Sequence, residues 1–305
     1  MKETSVREDR PKGALSLILV NHNDSIHLRS CLRSLEPEAR DLEAQVILVD
    51  NNSTDGSQAM IRSSFPWVRL IENSENLGFA RANNQGIRES RADFLLFLNP
   101  DTVVFPGALS ELLDELKRRP QAGAIAPRLV REDGSFQVSF GRRVSFFSEL
   151  LQRLLFNPYY RVVLRFFSRA REAGWLSGAC LLVRRKSLED AGLFDENFFL
   201  YFEDIDLCYR LRKKGFRLIL YPRATVLHAG GASTSGQKLA SRLEYRHSQV
   251  YFYKKHNSRV SCFLLRLYLR LIFFFWGLFA AGSAEERALW REKTMDMFKG
   301  RAKVE

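Results

Sequence analysis

Across its first 120 residues the chain alternates short apolar runs with segments of helical periodicity, and few folds accommodate that alternation. Residues 15–20 and 45–49 are rich in Leu, Ile and Val, a composition suited to strands buried on both faces. Between them residues 25–35 set Ile26, Leu28, Cys31, Leu32 and Leu35 at helical spacing, with Asp24 or Ser25 as candidate N-cap. Asp55 opens a further helix that Phe65-Pro66 ends. Residues 68–71, 78–90 and 94–98 then continue as strand, helix and strand. A helix over 106–118 carries Pro106 in its first turn and has Pro120 beyond its end. Strand and helix in strict turn predict an α/β chain: a mainly parallel sheet flanked by helices on both faces.

Past Gly123 the pattern loosens. Strands are expected over 179–183, 216–221 and 225–227, and helices over 203–214 and 239–256. There is no internal repeat and no low-complexity linker; near Arg142 only the composition shifts. The expected organisation is a polar extension over 1–13 and one domain over 14–258, its halves meeting near residue 122. A C-terminal helical segment follows over 259–305.

With 47 Lys+Arg against 35 Asp+Glu, a net +12, the chain suits an anionic partner: nucleotide, nucleic acid or acidic membrane surface. Its four cysteines show no C-x-x-C spacing, so reduced thiols in a cytoplasmic setting are expected. The start, MKETSVREDRPKG, holds no apolar signal segment. Phe, Leu, Tyr and Trp mix with Arg over 144–169 and 260–282. Residues 271–281 are continuously apolar, but Arg266 and Arg270 interrupt what precedes them. A spanning helix needs about 20 predominantly apolar residues, and an arginine at the bilayer centre costs at least ~2.5 kcal/mol. A helix lying in the interface, its arginines reaching anionic headgroups, fits better. An internal amphipathic helix pair packed on the sheet and a single span are the alternatives.

Polar residues gather where an open parallel sheet binds ligands, at the carboxyl ends of its strands. Asn21-His22-Asn23 follows the first strand, Asp50-Asn51-Asn52 the second, and Asn99 and Asp101 the fourth. Asn99-Pro100-Asp101 is also an ordinary turn sequence. Yet a carboxylate at a strand end suits a hard cation such as Mg²⁺, which takes one or two carboxylates and leaves the rest to phosphate and water. Glu203-Asp204-Ile205-Asp206 opens a helix, where acidic side chains offset the macrodipole by about 0.3–1 kcal/mol each. The aromatic stretch Phe198–Phe202 just before it can raise a carboxylate's pKa by desolvation, as a general base needs. Both readings can hold, with Glu203 or Asp206 capping and Asp204 catalysing. His228 follows a strand and precedes Ala229-Gly230-Gly231; it is an ordinary buried or surface histidine or a ligand to a cation such as Mn²⁺. Asn76, Gly78 and Arg81 open a helix whose N–H groups and guanidinium can hold a diphosphate, or Arg81 is simply solvated. Gly231–Lys238 misses the P-loop pattern, with Gln237 in the lysine's place, and no G-x-G-x-x-G follows a strand. A cation site and a base together equip a chain to move a group from a phosphate onto a hydroxyl.

In chain order, LSLILVNHN, ILVDNNSTDGS, ENLGFARANNQGI, LLFLNPDT, WLSGACLLVRR, FDENFFLYFEDIDLCYR and VLHAGG resemble the family 2 glycosyltransferases of GT-A fold, especially rhamnosyltransferase-like members. The likeness covers about residues 15–231. It implies inverting transfer of a sugar, rhamnose first, from a nucleoside diphosphate donor to a saccharide or lipid-linked saccharide of the cell envelope. dTDP-rhamnose comes first as donor and UDP-sugars next. By the same likeness Val20, Asn21 and Asp50 hold base and ribose, Arg81 lies near the diphosphate, and Asp101 binds Mg²⁺ or Mn²⁺ with His228 as a further ligand. Asp204 is the general base, and Trp175, Gly178 and Glu203 line the acceptor side. Asn99 stands where many members carry the first Asp of Asp-x-Asp, which leaves one fewer charged ligand. The implied enzyme is cytoplasmic and peripheral on an anionic membrane face. The rival readings are a non-catalytic nucleotide-sugar scaffold and a basic nucleic-acid binder; the second lacks any recognisable nucleic-acid module.

Overall fold

The computed structural model describes residues 14–151, 169–230 and 238–279. Strand β1 (Leu15–Asn21) is buried along its whole length, and parallel neighbours take both of its edges. These are β2 (Gln45–Asp50) and β4 (Phe94–Leu98), with β3 (Arg69–Glu72) parallel outside β2. Helices α1 (Ser25–Asp41), α2 (Ser57–Ser64) and α3 (Phe79–Glu89) make the crossovers. Period-two alternation divides each central strand between two cores. Leu15, Leu17, Leu19, Leu96 and Leu98 face α1, α2 and helix α4 (Ala108–Lys117), while Ile18, Leu95 and Phe97 face α3 and later helices. At about 1.5–3 kcal/mol per fully buried aliphatic side chain, this two-sided burial fixes strand register.

Beyond β4 the chain lays down β5 (Thr102–Val104), β6 (Ala122–Val130), β7 (Phe136–Gln137), β8 (Phe140–Gly141), α5 (Phe146–Leu151), β9 (Arg171–Glu172) and β10 (Trp175–Leu176). Then come β11 (Cys180–Arg184), α6 (Arg185–Ala191), α7 (Glu203–Lys213), β12 (Arg217–His228), α8 (Lys238–His256) and α9 (Arg259–Phe279). The sheet order is β3-β2-β1-β4-β11-β6-β12-β5, with β7 beside β6 and β9 beside β12; β10 and β8 pair apart. The first four strands are parallel, β11 enters antiparallel between β4 and β6, and β12 runs parallel to β6. This is the expected α/β architecture, mixed in its second half.

Three expectations change. The nine-residue β6 stands where the sequence loosens, and the strands expected over 216–221 and 225–227 are one strand, β12, bent by a register shift between Tyr221 and Thr225 beside Pro222. The helix expected from Pro106 begins at Ala108.

A third core joins α5, α8 and α9 to the loop before α7, through Phe198, Phe202, Phe252, Tyr253, Leu265 and Leu269. Among the described residues no helix is long and apolar enough to cross a membrane. The near P-loop over 231–238 falls almost wholly outside the described residues, as do the extension over 1–13 and much of the aromatic stretch over 144–169.

Candidate active site

Antiparallel pairing of β5 with β12 sets His228 opposite Thr102, so Asp101, just before β5, meets the last residue of β12. Asp101 Oδ1 lies 3.2 Å from His228 Nε2. Asn99 Nδ2 lies 3.3 Å from the same nitrogen. Backbone N–H groups of the following turn donate back to Asp101, Ala229 to its carbonyl at 3.0 Å and Gly230 to Oδ2 at 3.2 Å. Gln137 Oε1 lies 3.0 Å from His228 Nδ1. An amide oxygen accepts, so Nδ1–H donates to Gln137, and Nε2 is the ring nitrogen turned toward the Asp101 carboxylate.

Nε2 and a carboxylate oxygen at 3.2 Å are held together by a proton or a cation. Two ligands at right angles on a small cation, with bonds of ~2.1 Å, stand about 3 Å apart, so this donor pair fits a divalent ion. Among the described residues no cluster of three His, Cys, Asp or Glu gathers to hold a metal. The fit is therefore to a cation that keeps positions for phosphate and water.

Asp204 approaches the same edge from α7. Its Oδ2 accepts from Gly178 N at 2.7 Å and its Oδ1 from Ile205 N at 2.7 Å. A Cβ on Gly178 would stand 3.1 Å from the Asp204 Cβ, so only glycine lets the carboxylate reach this backbone unhindered. The next residue closes the link: Asn99 N donates to Ala179 O at 3.0 Å. Asp204, Gly178-Ala179, Asn99, His228 and Asp101 thus form one continuous chain of contacts.

Burial raises the pKa of Asp204, against the lowering effect of its backbone hydrogen bonds. Burial also raises Glu203, and the neighbouring Asp204 charge raises it further. Asp206 differs: burial opposes its charge, but His256, Arg210 and Lys255 outweigh that and hold it below the usual range. Neither Glu203 nor Asp206 caps α7. The N-cap is Phe202, at φ +68°, and no side chain caps the helix. Tyr201 before it also has a positive φ, +69°. Two consecutive aromatic residues in this sparsely allowed region mark strain where the helix presents its acids.

Asn21 Nδ2 donates to Asp50 Oδ2 at 2.9 Å and to Ser53 Oγ at 3.0 Å. Asp50 Oδ1 accepts from Ser53 N and from Gln58 Nε2. Val20 is buried beside Val49 and Ala82 beneath this pair. Asn51 joins the pair to α3 by donating to Gly78 O at 3.2 Å, and Asn76 Oδ1 accepts from Gly78 N at 3.0 Å. Gly78 has φ +81°, and a Cβ there would lie 2.6 Å from Phe199 O, so the glycine lets α3 start against the loop that leads to α7. Arg81 is half exposed and pairs at 3.6 Å with Glu196, on the loop before α7. Trp175 is half-buried against Gly141, where β10 meets β8.

Gln137, Ala179 and His256 escaped the sequence reading. Gln137 reaches His228 across 91 residues and His256 reaches Asp206 across 50, distances over which no local pattern signals a partner. A cavity lined by Arg119, Arg171, Arg217 and Ile219 lies at the amino ends of β6 and β12, the opposite end of β12 from His228.

The family model for Glycosyl transferase family 2 matches residues 16–192. An N-acetylglucosaminyl-diphospho-decaprenol L-rhamnosyltransferase of Mycobacterium tuberculosis is 35% identical over 258 residues, covering 78% of this chain and 83% of the relative. An O-antigen biosynthesis protein of Myxococcus xanthus is 30% identical over 214 residues, 68% of this chain but 16% of that protein. Among solved structures, a mannosyltransferase of Pyrobaculum calidifontis in complex with GDP-Man and Mn²⁺ aligns with a TM-score of 0.57 at 18% identity, over 93% of this chain and 84% of that one. GalNAc-T7 with UDP, GalNAc and Mn²⁺ aligns with the same TM-score at 17% identity, over 80% of this chain and 50% of that one. These structural likenesses bear on the fold, which is of the expected GT-A type.

Proposed function

The chain belongs to glycosyl transferase family 2, and from that premise we propose that this glycosyltransferase inverts the anomeric centre of a nucleoside diphosphate sugar as it passes the sugar to a hydroxyl. The observation that supports the reading is the contact chain from Asp204 to Asp101, in which a half-buried carboxylate and the Asp101–His228 pair lie along one sheet edge. In a single displacement Asp204 takes the acceptor hydroxyl's proton as its oxygen attacks the anomeric carbon. Asn21 and Asp50 hold the nucleoside, and the first turn of α3 faces the diphosphate. Asp101 and His228, with Asn99 beside them, would hold Mg²⁺ or Mn²⁺, and a bound cation balances charge growing on the departing diphosphate.

The donor we favour is dTDP-rhamnose, with UDP-sugars second. The acceptor class we favour is a lipid-linked saccharide, because the mycobacterial relative is named for such an acceptor. A lipid-linked acceptor requires a surface that meets the bilayer. Val260, Phe263, Leu267 and Leu271 recur every three or four residues along α9 and stay exposed, with Arg266 and Arg270 between them. Phe147 and Leu151 are exposed on α5, which packs against α9. We place this stripe on the anionic inner face of the membrane.

The test is transfer itself. Purified protein with Mn²⁺ is given dTDP-rhamnose or UDP-sugars and a synthetic prenyl-diphospho-N-acetylglucosamine, and the product's anomeric configuration is read by NMR. Inverted product from one donor is expected; retained configuration would overturn the single-displacement reading.

A further inference from the structure

The ring of His228 is met at both of its nitrogens, by Asp101 at one and by Gln137 at the other. Pairing of β5 with β12 brings Asp101 Oδ1 to 3.2 Å from Nε2. Gln137 arrives by a different route. Residues 131–135 turn β6 back into β7, with Gly134 at φ +72°. Gly134 N donates to Arg131 O, and Arg131 N to Ser135 O, both at 2.9 Å. This hairpin sets Gln137 opposite Leu129 of β6, and Leu129 is itself opposite Val226 of β12. Side chains opposite one another in a sheet share a face, as do residues two apart on one strand. Val226 and His228 are two apart, so Gln137 lies on the histidine's face of the sheet, and its Oε1 stands 3.0 Å from Nδ1.

The amide is anchored on either side of its own residue. The hairpin fixes the chain before it, and just after it Ser139 O accepts from Ser177 N at 2.8 Å, next to Gly178. An amide oxygen at Nδ1 obliges that nitrogen to carry a proton, so Nε2 is the nitrogen left for a cation. The same bond fixes the plane of the ring, and with it the direction of Nε2 relative to Asp101. Among the described residues no third His, Cys, Asp or Glu joins the pair. With so few protein ligands, the order already present in the ring carries weight. An imidazole free to turn must be ordered as the ion binds, and one already clamped need not be.

We propose that Gln137 is the positioning residue of the cation site: by accepting from Nδ1–H it holds the His228 ring with Nε2 toward Asp101, and so sets how tightly Mg²⁺ or Mn²⁺ is held. This rests on the reading of Asp101 and His228 as ligands of the cation. A hydrogen-bond partner behind a metal-bound histidine is worth about 10–100-fold in metal affinity. Gln137 acts only through His228. Its loss lowers the occupancy of the site and leaves the displacement to Asp204.

Two variants separate the hydrogen bond from the shape of the side chain. Gln137→Met keeps the length and removes the oxygen, while Gln137→Glu keeps an oxygen in place. Mn²⁺ binding in the presence of dTDP, or of UDP where that binds more tightly, is read from the EPR signal of the free ion against a protein-free blank. Gln137→Met is expected to weaken Mn²⁺ by about 10–100-fold, and Gln137→Glu to stay within a few fold of wild type. Saturating Mn²⁺ should then return the kcat of Gln137→Met to near wild type. Wild-type affinity in Gln137→Met would overturn the proposal. Equal weakening in both variants would do the same, since it marks a side chain that matters only for packing. Asp101→Asn is run beside them. If it weakens Mn²⁺ while Gln137→Met does not, the pair binds the ion and only the role of Gln137 fails. If Asp101→Asn binds Mn²⁺ like wild type, the ion is not on this pair and both readings fail. A second measurement needs neither the ion nor turnover. Nitrogen-15 shifts of the five histidine rings, with His228 assigned from His228→Ala, are expected to place the proton of the neutral ring on Nδ1 in wild type. A proton on Nε2 instead would overturn the proposal even if Gln137→Met does not fold.

Discussion

Asp204 and Asp101 are both carboxylates at one sheet edge, yet their surroundings assign them different work. Asp204 is held by backbone N–H groups and raised by burial, so it binds a proton more readily than an ordinary aspartate. As a base it must be ionised, so turnover should fall as pH drops through that raised value, above the ordinary range near ~3.9. Asp204→Asn should leave donor affinity near wild type and lower turnover by ~10²–10⁴-fold. Asp101→Asn should instead weaken donor binding in the presence of Mn²⁺, with His228→Ala similar in kind and milder. Calorimetry beside turnover separates the cases; near-normal transfer by Asp204→Asn would sink the base assignment. Asp206 is no substitute, since Arg210, Lys255 and the His256 ring already hold its charge. Gly178→Ala adds a Cβ 3.1 Å from that of Asp204, tight enough to push the carboxylate a few tenths of an ångström. Since small displacements at a reacting group cost much, we expect a turnover loss of about tenfold or more with Tm within a few degrees of wild type. Unchanged kcat would show that the close approach has no part in catalysis.

Helix α7 is aimed by what grips it. Asp206 ties its first turn to the last turn of α8, and Lys255 also reaches Asp195 at 2.6 Å, so the loop before α7 is fastened as well. Removing a fully buried charge strands Arg210 and Lys255, a class of change that costs about 3–5 kcal/mol. Because the folded pKa of Asp206 lies below its unfolded value, its contribution is present above the ordinary Asp range and is lost as pH falls through the depressed value. Asp206→Asn should therefore be less stable than wild type at pH 7, with the gap narrowing below about pH 4. Urea unfolding at both pH values checks this; an equal gap would refute the linkage. Legibility in the sequence follows the same physics. Strands β1, β2 and β4 could be read because burial on both faces makes them apolar runs. Strand β6 could not: Ala122-Gly123-Ala124-Ile125-Ala126-Pro127 holds residues poor in strand propensity, and its place comes from β11 and β12 on either side. The sequence pointed to Asp101, His228 and Asp204, because carboxylates and a histidine after strands or opening a helix stand out. Gln137 and His256 stayed hidden, because their positions are set by tertiary packing alone.

The molecule is asymmetric in what it exposes. Its sheet edge gathers acids and amides, while among the described residues most of the large apolar side chains left in solvent are on α5 and α9, within a chain of net charge +12. Val260 and Phe263 are 65% and 63% exposed, so the α9 stripe has no cover from the rest of the described chain. An apolar stripe with arginines between its members suits insertion of the side chains among lipid tails while guanidinium groups meet anionic headgroups. Each Phe or Leu that becomes fully buried contributes about 1.5–3 kcal/mol. The attraction to the headgroups is screened within a Debye length of ~8–10 Å. The protein should therefore sediment with vesicles containing anionic lipid, less with neutral ones, and be released in part by high salt. Phe263→Ser with Leu267→Ser should weaken sedimentation by at least tenfold in apparent affinity, since two inserted side chains are removed. Neither residue is near the acids of α7 in the chain, so release of free nucleoside diphosphate should persist in the double variant while transfer to a lipid-linked acceptor in vesicles falls. Equal sedimentation of wild type and double variant would move the membrane contact off α9. Equal recovery in the supernatant with and without anionic vesicles would remove it altogether and point to a saccharide acceptor free in solution.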